Sequence, residues 1–128
     1  MKILVVDDEA DVQTLFEQRF RREIRSGTLN LMFATNGFDA LAVLNKDGED
    51  IRLVLSDINM PGMSGIDLLK RIKTVGTAPT PDVIMITAYG DEENRRRCEN
   101  LGAENLLSKP LDFNALKELI TQKRFGDS

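Results

Sequence analysis

Short apolar runs alternate five times with segments whose apolar residues recur at helical spacing, and this alternation restricts the fold more than any other feature. The runs lie at residues 3–6, 29–33, 53–56, 83–86 and 106–107. Apolar residues recur at helical spacing in residues 12–24, 38–44, 66–72 and 116–120. Residues 91–100 are nearly all polar and are also predicted to be helical. A strand-helix order repeated five times predicts an α/β fold, (βα)5 doubly wound, with a five-stranded parallel sheet between two layers of helices.

The length favours one domain. A chain of 128 residues is of single-domain size and can bury a substantial core. We see no linker and no internal repeat, so residues 1–128 are predicted to form a single domain. The last four residues, 125–128, are predicted to fray.

Charge and hydropathy argue against several partners. The net charge is −4, and the one dense basic run that we identify, Arg95 to Arg97, has acids around it, so direct binding to nucleic acid is not expected. No apolar stretch approaches the ~20 residues of a membrane span. Asp7 and Asp8 follow Met1 too soon for a signal peptide. The single cysteine, Cys98, fits a reducing cytoplasm and is predicted to pack as a small hydrophobe.

The chain contains no histidine. Its absence excludes Ser-His and Cys-His catalysis and histidine-rich metal sites. Any phosphohistidine that takes part in the chemistry of this chain must therefore belong to a partner protein.

Charged side chains stand where predicted strands end. Asp7 and Asp8 close the first run, Asp57 closes the third, and Lys109 closes the last. In an open α/β sheet, ligands bind in the crevice beyond the carboxyl ends of the strands. If these strands are neighbours, the sequence builds an acidic pocket with one ammonium group, which suits a divalent cation and a phosphoryl group.

Three clustered carboxylates repel one another, and a divalent cation relieves that repulsion. Mg²⁺ prefers oxygen ligands and usually binds through a few carboxylates, substrate phosphate oxygens and water. A simpler interpretation of Asp7 or Asp8 is capping of the following helix. Lys109 could be a solvated lysine, and Thr87, at the end of the fourth run, could be an ordinary strand threonine; both could equally meet a phosphate oxygen.

Four motifs together resemble the receiver domains of two-component response regulators. They are Val-Val-Asp-Asp-Glu (5–9), Leu-Ser-Asp-Ile-Asn-Met-Pro-Gly-Met-Ser-Gly (55–65), Ile-Thr-Ala (86–88) and Ser-Lys-Pro (108–110). The resemblance covers the whole chain, with the motifs in the family's order and spacing. It implies the flavodoxin-like strand order 2-1-3-4-5.

The resemblance assigns roles to site residues. Asp57 is expected to be the phosphoacceptor nucleophile. Asp8 and Asp57 are expected to ligate Mg²⁺ directly, Asp7 directly or through water, and Asn59 through its backbone carbonyl. Lys109 is expected to pair with Asp57 before transfer and with the phosphoryl group afterwards, and to precede a cis peptide bond to Pro110. The hydroxyl of Thr87 is expected to bond a phosphoryl oxygen.

The implied function is that of a signalling phosphoacceptor in the cytoplasm. A histidine kinase or histidine phosphotransfer protein would donate the phosphoryl group, and the chain would catalyse only its own phosphorylation and slow dephosphorylation. The face of the fourth predicted helix, the last strand and the last helix would switch. It would signal to an output domain or downstream protein, and phosphorylation could promote a homodimer.

One position departs from the family pattern, and three alternatives stay open. Many receivers carry an aromatic residue three positions before the lysine, where this chain has Leu106. A phosphatase of the haloacid dehalogenase type would need an acid at Asn59. A pseudo-receiver would lack the acids or the lysine, and a flavin-binding protein would need phosphate-binding loops where Asp7 and Asp8 stand.

Overall fold

Parallel strands alternate with helices in the computed structural model. The structure describes residues 1–75, 80–88 and 92–126, with side chains at all of these except 75 and 123–126. The strands are β1 (Lys2–Val6), β2 (Asn30–Ala34), β3 (Ile51–Asp57), β4 (Asp82–Thr87) and β5 (Asn105–Ser108). The helices are α1 (Asp11–Arg19), α2 (Arg21–Arg25), α3 (Gly37–Asp47), α4 (Gly65–Val75), α5 (Glu92–Asn100) and α6 (Phe113–Gly126).

The five strands form one parallel sheet in the order β2-β1-β3-β4-β5, which confirms the predicted topology. Val6 lies beside Ala34 of β2 and Ser56 of β3, so the carboxyl ends of the three strands come to the same edge. The residues that follow β1 and end β3 therefore meet at that edge.

Alternate strand residues build two cores, one on each face of the sheet. Leu4, Val6, Val54, Val83 and Met85 pack with buried residues of α3, α4 and α5. On the other face, Ile3, Val5, Leu53, Leu55, Ile84 and Ile86 pack with Phe16, Phe20, Leu116 and Ile120. Burial on both faces explains why these strands are nearly continuous apolar runs.

The first predicted helix is broken in two. The predicted helical segment does end at about residue 25, but it is not one continuous helix, because α1 ends at Arg19 and α2 begins at Arg21. Phe20 leaves helical geometry (φ −106°, ψ 19°), although its N–H still donates to the Phe16 carbonyl. Phe16, Phe20 and Ile24 keep helical spacing through both pieces, so periodicity alone could not reveal the break.

One other helix boundary differs from the sequence-based prediction, and two lie at residues that the structure does not describe. The last helix begins at Phe113 and not at Pro110, since Asp112 accepts hydrogen bonds from the backbone N–H groups of Asn114 and Ala115. The fourth predicted helix is present as α5 from Glu92, and its predicted first residue, Asp91, lies outside the described residues. Helix α6 runs to Gly126, and residues 127–128 are not described, so fraying of the tail stays a prediction.

None of the described helices is long and apolar enough to span a bilayer.

Candidate phosphoacceptor site

Three carboxylates converge at the carboxyl edge of the sheet. One carboxylate oxygen of each of Asp7, Asp8 and Asp57 lies within 4.8 Å of the others. Asp7 and Asp57 are buried, whereas Asp8 is exposed. Because β1 and β3 are hydrogen-bonded neighbours, the residues at their ends must face the same crevice. The expected acidic cluster is therefore present.

The carboxylates do not cap the following helix. The N-cap position of α1 is Ala10, which makes no side-chain capping bond. Asp7 Oδ1 instead accepts the backbone N–H of Glu9 at 2.9 Å, within the turn that precedes the helix. This bond fixes the Asp7 carboxylate, and its second oxygen, Oδ2, faces Lys109.

The ammonium group of Lys109 bridges two of the acids. Its Nζ lies 3.3 Å from Asp57 Oδ2 and 3.4 Å from Asp7 Oδ2. The backbone helps to aim it, since the Lys109 N–H donates to the Thr87 carbonyl at 2.8 Å. The bond from Lys109 to Pro110 is cis, as the family resemblance implies. Burial alone would lower the pKa of Lys109, but the charges of Asp7 and Asp57 outweigh it and raise that pKa.

Burial dominates the electrostatics of Asp57. Its carboxyl group loses most of its hydration, and this raises its pKa even though the Lys109 charge acts in the opposite direction. The Asp7 carboxylate raises the pKa further. Ionisation of Asp57 therefore costs more free energy here than in water, and a cation that neutralises the cluster would lower that cost.

Thr87 lies on the strand beside Asp57, one residue past its register partner Ile86, and Asn59 follows Asp57 in the loop after β3. Thr87 is fully buried at the end of β4, in register with Ser108 on β5. Asn59 is exposed in the loop after β3, and its backbone N–H lies 3.4 Å from Asp57 Oδ1. The structure thus brings Asp7, Asp8, Asp57 and Lys109 into one pocket, with Asn59 at the next turn and Thr87 on the neighbouring strand.

Gly65 supports the site in a way that the sequence analysis did not identify. The pattern marks Gly65 only as part of a loop, but its N–H donates to the Ile58 carbonyl at 2.8 Å, and a Cβ there would overlap the Asp57 carbonyl oxygen. Nearby, Met60 and Met63 are buried. Only a glycine lets the first turn of α4 approach the Asp57 backbone this closely.

Leu106 of β5 and Cys98 of α5 are both buried in the apolar core on one face of the sheet. Leu106 is buried beside Met85 of β4 and belongs to the same apolar cluster as Cys98. Cys98 is buried as predicted, and burial raises the pKa of its thiol, which keeps it protonated and unreactive. The position that is aromatic in many receivers is thus filled here by an aliphatic side chain.

Comparisons with known proteins agree with this geometry. Residues 3–121 match the response regulator receiver domain family. Sporulation initiation phosphotransferase F of Bacillus subtilis is 34% identical over 119 residues, covering 93% of this chain and 90% of that protein. Sensor histidine kinase RcsC of Escherichia coli is 39% identical over 121 residues, which is 94% of this chain but 12% of that protein. A receiver domain structure from Clostridium thermocellum superposes with a TM-score of 0.83 at 28% identity, covering 95% of this chain and 92% of that one.

This chain belongs to the response regulator receiver domain family and is a receiver domain of the two-component type. Receiver domains of this type partner with histidine kinases and phosphotransfer proteins.

Proposed function

We propose that Asp57 accepts a phosphoryl group from the phosphohistidine of a partner kinase or phosphotransfer protein. The carrying observation is the buried Asp57 carboxylate, which lies 3.3 Å from an ammonium group and next to two further carboxylates. In the transfer, the N–P bond of the donor breaks, an O–P bond to Asp57 forms, and the donor histidine leaves. These 128 residues contain no histidine, so the donor phosphohistidine must lie outside them.

The oxygen donors at this edge fit Mg²⁺. Asp8 and Asp57 would hold it directly, Asp7 directly or through water, and the Asn59 carbonyl would supply one further oxygen. This is an all-oxygen set, and the three carboxylates are near enough to share one ion. When bound, Mg²⁺ would neutralise the acid cluster and the negative charge on the phosphoryl oxygens.

The chain's own residues position and neutralise the reacting groups. Lys109 pairs with the Asp57 carboxylate before transfer and would pair with a phosphoryl oxygen afterwards. The hydroxyl of Thr87, at the end of β4, would bond another phosphoryl oxygen. All of these residues are retained, which favours an active receiver over a pseudo-receiver. The chain would act as a cytoplasmic phosphoacceptor that catalyses only its own phosphorylation and slow dephosphorylation.

The output surface would be the face of α5, β5 and α6. Thr87 and Lys109 lie at the ends of the two strands next to α5, so both can carry a change at Asp57 to this face. An output domain, a downstream protein or a second copy of the chain would read it. In this arrangement Leu106 would repack in place of a swinging aromatic ring.

Labelling with a small phosphodonor tests the proposal. The wild-type protein, incubated with acetyl phosphate and Mg²⁺, should gain the mass of one phosphoryl group, and it should gain almost none in metal-free buffer. Asp57→Asn should remain unlabelled, whereas the matched variant Asp67→Asn, which removes an exposed acid of α4, should label normally. The proposal is wrong if Asp57→Asn labels at the wild-type rate.

A further inference from the structure

A basic cleft lies at the junction of α1, α2 and α6. It has a volume of about 1040 Å³. Its charged lining residues are Arg19, Arg21, Arg22, Arg25, Lys117 and Glu23. Five cations and one carboxylate give this lining a net charge of +4. Because the net charge of the whole chain is −4, the remaining residues have a net charge of −8. Four of the five cations lie within residues 19–25 of the sequence, and the fold adds Lys117 of α6 to them.

The break at Phe20 brings Arg19 and Arg21 to the same cleft. In one straight helix, Arg19 and Arg21 would project about 200° apart around the axis. Phe20 departs from helical geometry and is buried, with its ring stacked 5.8 Å from that of Phe16. The chain therefore changes direction at a fixed point, and Arg19 and Arg21 line the same cleft.

The fold itself leaves most of this charge uncompensated. Within residues 1–75, 80–88 and 92–126, no carboxylate lies within ion-pair distance of Arg21, Arg22 or Arg25. Helix dipoles favour the cations in the last turns of α1 and α2, but Arg21 is the first residue of α2, where a cation is unfavourable. The mutual repulsion of the arginines opposes folding, so stability does not account for the cluster.

Two of the cations are held in place by aromatic rings, and one carboxylate oxygen of the lining has no hydrogen-bond donor among the described residues. Arg19 Cζ lies 5.4 Å from the centre of the Phe113 ring, and Lys117 Nζ lies 5.3 Å from that of Phe20. Lys117 also pairs with Glu23 Oε2 at 3.2 Å. The other oxygen, Glu23 Oε1, is buried and has no hydrogen-bond donor in the described part of the chain. A buried acceptor of this kind is costly unless a donor reaches it.

We propose that this cleft binds a small organic anion that carries at least two phosphate groups and a hydroxyl or amino donor, as nucleoside polyphosphates do. Arginine forks bind phosphate oxygens in pairs, and the donor would reach Glu23 Oε1. The volume is that of a site for a small molecule. A long polyanion such as RNA is disfavoured, because the surface outside the cleft carries −8 and would repel it. The site shares no residue with the acid cluster and does not depend on phosphorylation of Asp57.

Calorimetric titration in metal-free buffer at low ionic strength tests the ligand chemistry. The probes are inorganic tripolyphosphate, which supplies charge alone, and ATP, which adds hydroxyl and amino donors to a triphosphate. Wild type should bind both, ATP more tightly, and added salt should weaken both. Absence of binding at millimolar concentrations of both probes overturns the proposal. So does tighter binding of a single-stranded RNA oligonucleotide than of ATP.

Two variants locate the site. Arg21→Ala/Arg22→Ala/Arg25→Ala should weaken both probes by about tenfold or more, whereas Arg95→Ala/Arg96→Ala/Arg97→Ala removes the same charge from α5 and should bind as wild type does. Glu23→Met, which removes both acceptor oxygens, should retain or strengthen tripolyphosphate binding but lose the preference for ATP. Equal weakening by the two arginine triples, or an unchanged ATP preference in Glu23→Met, would refute the proposed site.

Discussion

Lys109 Nζ lies 3.3 Å from Asp57 Oδ2, although 52 residues separate the two in the chain. The contact crosses β4, which stands between β3 and β5 in the sheet. It therefore depends on the register of three strands, and it balances only part of the cost of burying the carboxylate, since the pKa of Asp57 stays raised.

Removing the ammonium group should impair the site without unfolding it. In Lys109→Met, the pKa of Asp57 should rise further, because the charge that lowers it is gone. Labelling by acetyl phosphate should slow by at least about tenfold, as expected when one preorganised donor is lost. Carboxyl-carbon NMR titration and labelling kinetics measure the two effects. Lys46→Met, which removes an exposed cation of α3, should change neither.

The raised pKa of Asp57 predicts a pH-dependent cost to folding. Protonated Asp57 contributes stability that is fully present below its ordinary pKa of 3.8 and is lost as pH rises through the higher folded-state value. Without metal, Asp57→Asn should therefore melt near the wild-type temperature in acid and above it at neutral pH. Thermal melts at a series of pH values test this. A variant that is less stable than wild type at neutral pH would contradict it.

Asp8 should couple metal binding to stability. Deleting this carboxylate relieves repulsion within the cluster, so Asp8→Asn should raise the metal-free melting temperature. Mg²⁺ should raise the wild-type melting temperature by a few degrees and that of Asp8→Asn by much less. Glu49→Gln, which removes an exposed acid outside the cluster, is the matched control. A clear fall in the metal-free melting temperature of Asp8→Asn would count against a repulsive cluster.

Gly65 should matter more for phosphorylation than for folding. A methyl group at Gly65 would overlap the Asp57 carbonyl, and overpacking of this kind costs about 1–3 kcal/mol. Gly27→Ala provides the control, since Gly27 has φ 76° with open space around it and an alanine there costs about 1–2 kcal/mol of backbone strain alone. Gly65→Ala should slow labelling of Asp57, whereas Gly27→Ala should not. Equal labelling rates would limit Gly65 to a folding role.

The sequence predicted the fold and the acid cluster because both follow from short-range signals. Apolar runs mark the strands, and residues at the ends of neighbouring parallel strands meet at one edge, so Asp7 and Asp57 are expected to meet if β1 and β3 are neighbours. The strand order came from the family resemblance, since alternation alone does not order strands.

What the sequence did not reveal depends on backbone geometry and tertiary packing. The break at Phe20 is invisible to periodicity, because Phe16, Phe20 and Ile24 fit one helix as well as two. The arginines of the basic cleft lie within residues 19–25 and are visible in the sequence, but the contribution of Lys117 from α6 depends on the fold. The contact between Gly65 and Asp57 is likewise a close tertiary approach that no local pattern encodes.

The last prediction concerns the switching surface. Among the described residues of α5, only Cys98 is buried, so the helix has few anchoring contacts. Elements with few buried contacts open most readily, and conformational switches are drawn from them. Phosphorylation adds about −1.5 to −2 charges, judged from other phosphoresidues. Thr87 and Lys109 should be drawn toward that charge, which disturbs the two strands beside α5.

Hydrogen exchange with and without beryllofluoride, a mimic of the phosphoryl group, measures this response. Protection should change within residues 87–120, which span α5, β5 and the start of α6, and Leu106 should repack where many receivers move an aromatic ring. The protein with Asp57→Asn is the control, because it lacks the carboxylate that binds the mimic and should show no change. If protection changes in residues 8–25 and not in 87–120, the output surface lies at α1 and α2 and not at α5, β5 and α6.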